Sequence, residues 1–113
     1  MPDLAPMITR QRLVIEGTCT GVISDTAIGD YLVGLSVVCG MKILLDPVTH
    51  RSERYGWAGW IHWEASGAHV YAWETPVRFF SVDIYTCKAF AVEETVGYTR
   101  RFFDADQIVA KAF

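Results

Sequence analysis

The stretch Gly56-Trp57-Ala58-Gly59-Trp60-Ile61-His62-Trp63-Glu64-Ala65-Ser66-Gly67-Ala68-His69-Val70-Tyr71-Ala72-Trp73-Glu74 decides how this chain folds. Two runs rich in aromatic and apolar residues, roughly Trp57–Glu64 and Ala68–Thr75, flank the small residues Ala65, Ser66 and Gly67. That is the pattern of two long strands joined by a tight connection. Side chains alternate across a strand, so Trp57, Gly59, Ile61 and Trp63 face one way, and Ala58, Trp60, His62 and Glu64 the other. In the second strand His69, Tyr71 and Trp73 share a face opposed to Val70, Ala72 and Glu74.

Outward from this hairpin the chain alternates strands and helices, with no internal repeat or low-complexity tract. Residues 1–9, with Pro2 and Pro6, read as a loose leader ahead of one domain over 10–113. Arg10 to Thr18 carries Leu13, Val14 and Ile15 and reads as a strand. Ser24 or Asp25 caps a helix in which Ile28, Tyr31, Leu32, Leu35, Val38 and Cys39 recur at helical spacing, and Gly40 suits the left-handed position that ends it. Met41 to Leu45 reads as a strand stopped by Pro47, and Thr49 to Arg54 as a polar loop. Beyond the hairpin, a turn at Pro76 precedes a strand from Phe79 to Cys87.

A helix follows over Ala91 to Phe103, with Glu93 and Glu94 in its first turn and Arg100 and Arg101 in its last, the arrangement the helix dipole favours. Its inward face is Val92, Val96, Thr99 and Phe103, and Gln107 to Ala112 forms a closing strand. The order β-α-β-β-β-β-α-β predicts an α+β fold, a two-layer α/β sandwich with two helices on one face of a mainly antiparallel sheet. The other face is left partly open and needs a ligand or another subunit to cover its aromatic residues. A sheet-on-sheet homodimer is one such arrangement. The tryptophans are read either as packing residues or as a stacking surface for a ligand.

With 113 residues, 51% hydrophobic, the chain has the size and composition of one folded domain. A net charge of −3, with Lys and Arg scattered singly apart from Arg100-Arg101, offers no basic stripe for nucleic acid. No run reaches the roughly 18 apolar residues that span a bilayer, and Met1-Pro2-Asp3 lacks the start of a secretory signal, so a cytoplasmic, non-membrane protein is expected. Cys19, Cys39 and Cys87 are odd in number and lack CxxC spacing, which gives neither a disulfide framework nor a zinc site; Cys39 reads as core. His50, His62 and His69 form no metal-binding pattern.

The hairpin, together with Ser81-Val82-Asp83-Ile84-Tyr85-Thr86-Cys87, resembles the processing-site region of the short prokaryotic S-adenosylmethionine decarboxylases. The family pattern is Gly-x-Ser-Gly, then Glu-Ser-His, a histidine five residues after that serine, Thr-Trp-Pro-Glu, and Asp-x-x-Thr-Cys. It registers without gaps from Gly56 through Trp73, with one extra residue before Cys87, and Leu13-Val14-Ile15-Glu16-Gly17-Thr18-Cys19 resembles the family's opening strand. The resemblance implies that the hydroxyl of Ser66 attacks the preceding carbonyl. The backbone is then cut before Ser66 to leave a pyruvoyl cofactor, a ketone that serves as an electron sink. It also implies a catalytic acid at Cys87.

The departures lie around that serine. Ala65 stands where the family has Glu, with Glu64 one place earlier; Ala58 replaces the helper serine, and Tyr71 replaces the histidine that removes the α-proton. Tyrosine, with an ordinary pKa of about 10 against about 6.5 for histidine, is a poor base near neutral pH. His69 shares the Tyr71 face, one strand repeat of roughly 7 Å nearer Ser66, and is the candidate replacement. Trp60, Tyr71 and Trp73 are candidates to stack on the adenine and sulfonium of S-adenosylmethionine, and Glu16, Glu64, Glu74 or Asp83 to take its ammonium group.

Three functions follow. The chain is a divergent decarboxylase of that family, or a lyase of different mechanism on the same substrate. It is an unprocessed, non-catalytic protein that retains a ligand pocket. Or it is a partner subunit.

Overall fold

The computed structural model describes residues 1–113. Its elements run β1 (Gln11–Thr18), α1 (Asp25–Cys39), β2 (Ile43–Ser52), β3 (Gly56–Trp63), β4 (Ser66–Trp73), β5 (Phe79–Thr86), α2 (Val92–Phe103) and β6 (Gln107–Ala112). The six strands form one sheet in the order β2-β3-β4-β5-β1-β6, antiparallel at every pairing. The expected α+β sandwich is the architecture observed. No helix is long and apolar enough to cross a membrane.

The ends of α1 are set by the residues that predict them. Ser24 caps α1, its Oγ accepting from the Ala27 N–H at 3.2 Å, and Gly40 closes it in the left-handed conformation at φ 68°. Inward residues of α1 (Ile28, Tyr31, Leu32 and Leu35) pack with Leu13 and Ile15 of β1, Ile61 and Trp63 of β3, Val70 of β4, Val82 and Ile84 of β5 and Phe103 of α2. Helix α1 lies so close over β3 that a Cβ on Gly59 would come within 2.5 Å of Ile28. Polar groups taken into this layer are bonded: Trp63 Nε1 donates to Ser36 Oγ at 2.7 Å, and Tyr31 and Thr99 share a hydrogen bond of 2.7 Å. Cys39 is buried beside Thr95, as its helical spacing predicts.

Two expectations are corrected. The segment Thr49–Arg54 is not a loop, because β2 continues to Ser52 and pairs with β3 from Val48↔Trp60 to Ser52↔Gly56. Pro47 does not end the strand because β2 is an edge: register shifts between Ile43 and Val48 take up the missing N–H donor, and pairing then resumes. The hairpin connection is also shorter than Ala65-Ser66-Gly67. Trp63 pairs with Ser66, so the turn is Glu64-Ala65 and Ser66 is the first residue of β4.

Candidate functional site

Helices cover one face of the sheet, and strand alternation sends most of the chemistry-bearing residues to the other; Ser66, paired with the buried Trp63 and Thr86 at the turn, is the exception. Because directly paired residues share a face, the registers arrange this open surface in rows across the strands. His62, Gly67, Tyr85 and Arg12 form the row nearest the β3–β4 turn. Next come Val48, Trp60, His69, Asp83, Val14 and Lys111, then His50, Ala58, Tyr71, Ser81, Glu16 and Val109. Trp73, Phe79, Thr18 and Gln107 lie in the last.

Aromatic rings run continuously through these rows. Trp60 to His69 is 6.4 Å between ring centroids, His69 to Tyr71 5.9 Å with the planes only 11° apart, Tyr71 to Trp73 6.1 Å and Trp73 to Phe79 5.3 Å. Trp60, His69, Tyr71 and Trp73, singled out in the sequence, therefore stand in one ladder. Its two ends open into different hollows.

At the turn end, a shallow hollow of about 420 Å³ is bordered by Trp60, His62, Ser66, His69, Asp83 and Tyr85. Ser66 sits there under backbone strain, with φ at 117°, a conformation natural to glycine that costs a serine on the order of 1–3 kcal/mol. The Cys87 N–H donates to the carbonyl oxygen of Ala65, the residue before Ser66, at 3.0 Å. Thr86, fully buried, fixes the end of β5 by donating from Oγ1 to the Lys88 carbonyl at 2.7 Å, which holds that N–H in place. The Cys87 side chain itself is exposed.

At the far end, about 260 Å³ is enclosed by Tyr71, Trp73, Tyr55, His50 and Ser52 over a floor of Gly56 and Ala58. Gly56 is required there: its φ is 123°, and a Cβ would stand 2.3 Å from the Ala72 carbonyl oxygen. Ala58 pairs directly with Tyr71, so the residues standing where the family pattern has serine and histidine are neighbours. They are not neighbours of Ser66, from which Tyr71 is separated by five positions along β4, roughly 17 Å.

His69 borders the same hollow as Ser66, whereas Tyr71 does not. Glu64 and Glu74 border neither hollow; Glu64 pairs with Lys42 at 3.5 Å and Glu74 with Arg51 at 3.4 Å. The carboxylates that do face the open surface are Asp83, directly across from His69, and Glu16, which accepts from Ser81 Oγ at 3.0 Å. Sequence reasoning passed over Arg12, Tyr55 and Tyr85, although the alternation that exposes Glu16 exposes Arg12 as well. No group of three His, Cys, Asp or Glu side chains converges to hold a metal ion.

The sequence profile of the S-adenosylmethionine decarboxylase family matches residues 17–113. No curated protein sequence matches the chain. Among solved structures, the crystal structure of the adenosylmethionine decarboxylase from Aquifex aeolicus VF5 is similar in fold, with a TM-score of 0.78. At 13% sequence identity that match covers 94% of this chain and 89% of the other.

Proposed function

The chain belongs to the S-adenosylmethionine decarboxylase family, and from that premise we propose that it binds S-adenosylmethionine or a related amino-acid compound on the open sheet face and decarboxylates it through a pyruvoyl group made at Ser66. The observation that carries the reading is the state of the Ala65-Ser66 bond. A hydroxyl-bearing residue is held at a strained φ of 117°, and the carbonyl it would attack already accepts a hydrogen bond from the Cys87 N–H. When Ser66 Oγ adds to the Ala65 carbonyl carbon, negative charge develops on the carbonyl oxygen, and a fixed N–H aimed at it stabilises that charge. Release of the left-handed backbone favours the same step.

These residues fit the formation of the cofactor from the chain itself. A pyruvoyl ketone made at Ser66 would supply an electron sink, and His69 and Asp83 border the same hollow as Ser66. Trp60, His69, Tyr71 and Trp73 offer stacking surface for an adenine and cation–π attraction for a sulfonium. A second copy packed sheet on sheet would cover the aromatic residues the helices leave exposed and complete a homodimer.

A specific observation also favours a second reading. Tyr71 stands in a different hollow from Ser66, so within one subunit neither it nor Ala58 assists the serine. An uncut chain would then serve as a ligand-binding or partner subunit. Intact mass spectrometry of the purified protein separates the two. Fragments 1–65 and 66–113, the second beginning with a ketone in place of the serine amine, are expected for the decarboxylase. A single uncut mass rules out the pyruvoyl mechanism and leaves the binding reading. Calorimetry with S-adenosylmethionine tests that in turn, with heat and a thermal shift at saturation expected.

A further inference from the structure

We propose that Arg12 and Asp83 form a recognition site for the zwitterionic head of an α-amino acid, with the carboxylate on the Arg12 guanidinium and the ammonium group on the Asp83 carboxylate. The inference rests on the reading that the open face binds an amino-acid compound. It adds which residues hold the head group.

The register places the two charges. Arg12 pairs with Tyr85 and Val14 with Asp83, so Arg12 and Asp83 are diagonal neighbours on β1 and β5, with a Cα separation of roughly 7–8 Å. Both border one hollow of about 390 Å³, with Val14 as an apolar floor and Tyr85 and Phe113 as walls. The guanidinium lies over the Tyr85 ring, 4.5 Å from its centroid, which orders a side chain that otherwise loses much rotamer freedom on binding.

Neither charge has an oppositely charged partner within the protein. The chain's ion pairs are Arg10–Asp3, Lys42–Glu64 and Arg51–Glu74, and no side-chain hydrogen bond involves Arg12 or Asp83. A cation and an anion that share a hollow without closing on each other leave a gap. An α-amino acid carries opposite charges two bonds apart and spans it, taking charge-assisted hydrogen bonds at both ends.

The place of the site along the trough agrees with this. Asp83 and Tyr85 border both this hollow and the one holding Ser66, so the two adjoin, and Tyr85 pairs directly with Gly67. A head group on Arg12 and Asp83 therefore lies beside the turn, with its side chain free to extend over His69 and the aromatic ladder. Lys111, in the row with Val14, adds positive charge at the outer rim, and Glu16 is occupied by Ser81.

The test is calorimetric titration of the full chain with two pairs of compounds. One pair is S-adenosylmethionine and its decarboxylated counterpart; the other is L-methionine and L-methioninamide. Wild type is expected to favour the carboxylate-bearing member of each pair by about tenfold or more. Arg12→Gln removes that preference while the carboxylate-free compounds keep their affinity to within roughly twofold, Arg12→Lys keeps part of it, and Asp83→Asn weakens all of them. A preference that survives Arg12→Gln, or that is absent from wild type in both pairs, overturns the proposal. If wild type binds only the methionine pair and Arg12 governs that preference, the head-group site stands and the S-adenosyl reading falls.

Discussion

On the helix side of the sheet every buried polar side chain has a partner, and the large residues are sealed: Trp63, Tyr31 and Phe80 have no exposed surface. On the other side Tyr71 and Tyr85 are about two-fifths exposed and Arg12 and Asp83 stand unpaired. The strands are the same, and the side chains of each alternate between the two environments. The contrast separates residues kept for the fold from residues left free to act. A polar group is satisfied internally where water cannot reach, while the open face leaves its hydrogen bonds to solvent or a ligand.

The sharpest way to break this contrast is to truncate one tryptophan from each side. Trp63→Ala removes a fully buried ring and its hydrogen bond to Ser36, and should cost about 3–5 kcal/mol in chemical denaturation. Ser36 keeps its bond to the Leu32 carbonyl, so no buried hydroxyl is orphaned to enlarge the loss. Trp73→Ala removes stacking with Tyr71 and Phe79 on a half-open surface and should cost about 1 kcal/mol, with its larger effect on S-adenosylmethionine binding. Equal losses would mean that the open face carries the fold as well.

Much of this division is legible in the alternation of the hairpin. Parity groups Gly59, Ile61 and Trp63 against Trp60, and His69 with Tyr71; the burial of the first group shows that it is the one facing the core. Ser24 and Gly40 bound α1 because capping chemistry is local and needs no tertiary knowledge. What could not be read is long-range. The extent of β2 depended on its lying at an edge, where a proline inside the strand is tolerated. Arg12 stands beside Tyr85 only because β1 returns to lie between β5 and β6. The separation of Ser66 from Tyr71 was available from strand geometry, since five residues of extended chain span roughly 17 Å.

Ser66 belongs to neither side, and its strain can be isolated from its chemistry. Ser66→Gly and Ser66→Ala both remove the hydroxyl, but only glycine accepts a φ of 117° without penalty. Relief of about 1–3 kcal/mol, offset by up to about 1 kcal/mol of added unfolded-state entropy, leaves Ser66→Gly more stable than Ser66→Ala by roughly 1 kcal/mol. That difference corresponds to a few degrees in Tm. If the two variants melt together, the turn holds no strain to drive an attack on the Ala65 carbonyl.

The smallest effect comes from the helix side and appears only in alkali. The Tyr98 Oη donates to the Tyr31 carbonyl at 2.8 Å, and its ring stacks on Tyr31 at 5.3 Å. Burial pushes its pKa up to about 12 from an ordinary 10, with the negative charge of Asp30 adding to the shift. Between pH 10 and 12 the unfolded chain releases this phenolic proton while the folded chain keeps it. The unfolded state then binds fewer protons, and stability must fall as pH rises. The contribution is present in full below pH 10 and is lost as the pH passes through 12. Tyr98→Phe should therefore flatten the decline in Tm across that window, leaving the part due to Tyr31, whose pKa deep burial raises further. An unchanged slope in the Phe variant would mean that this phenol ionises as readily in the folded chain as in the unfolded one, and that the layer between α1 and α2 is open to water.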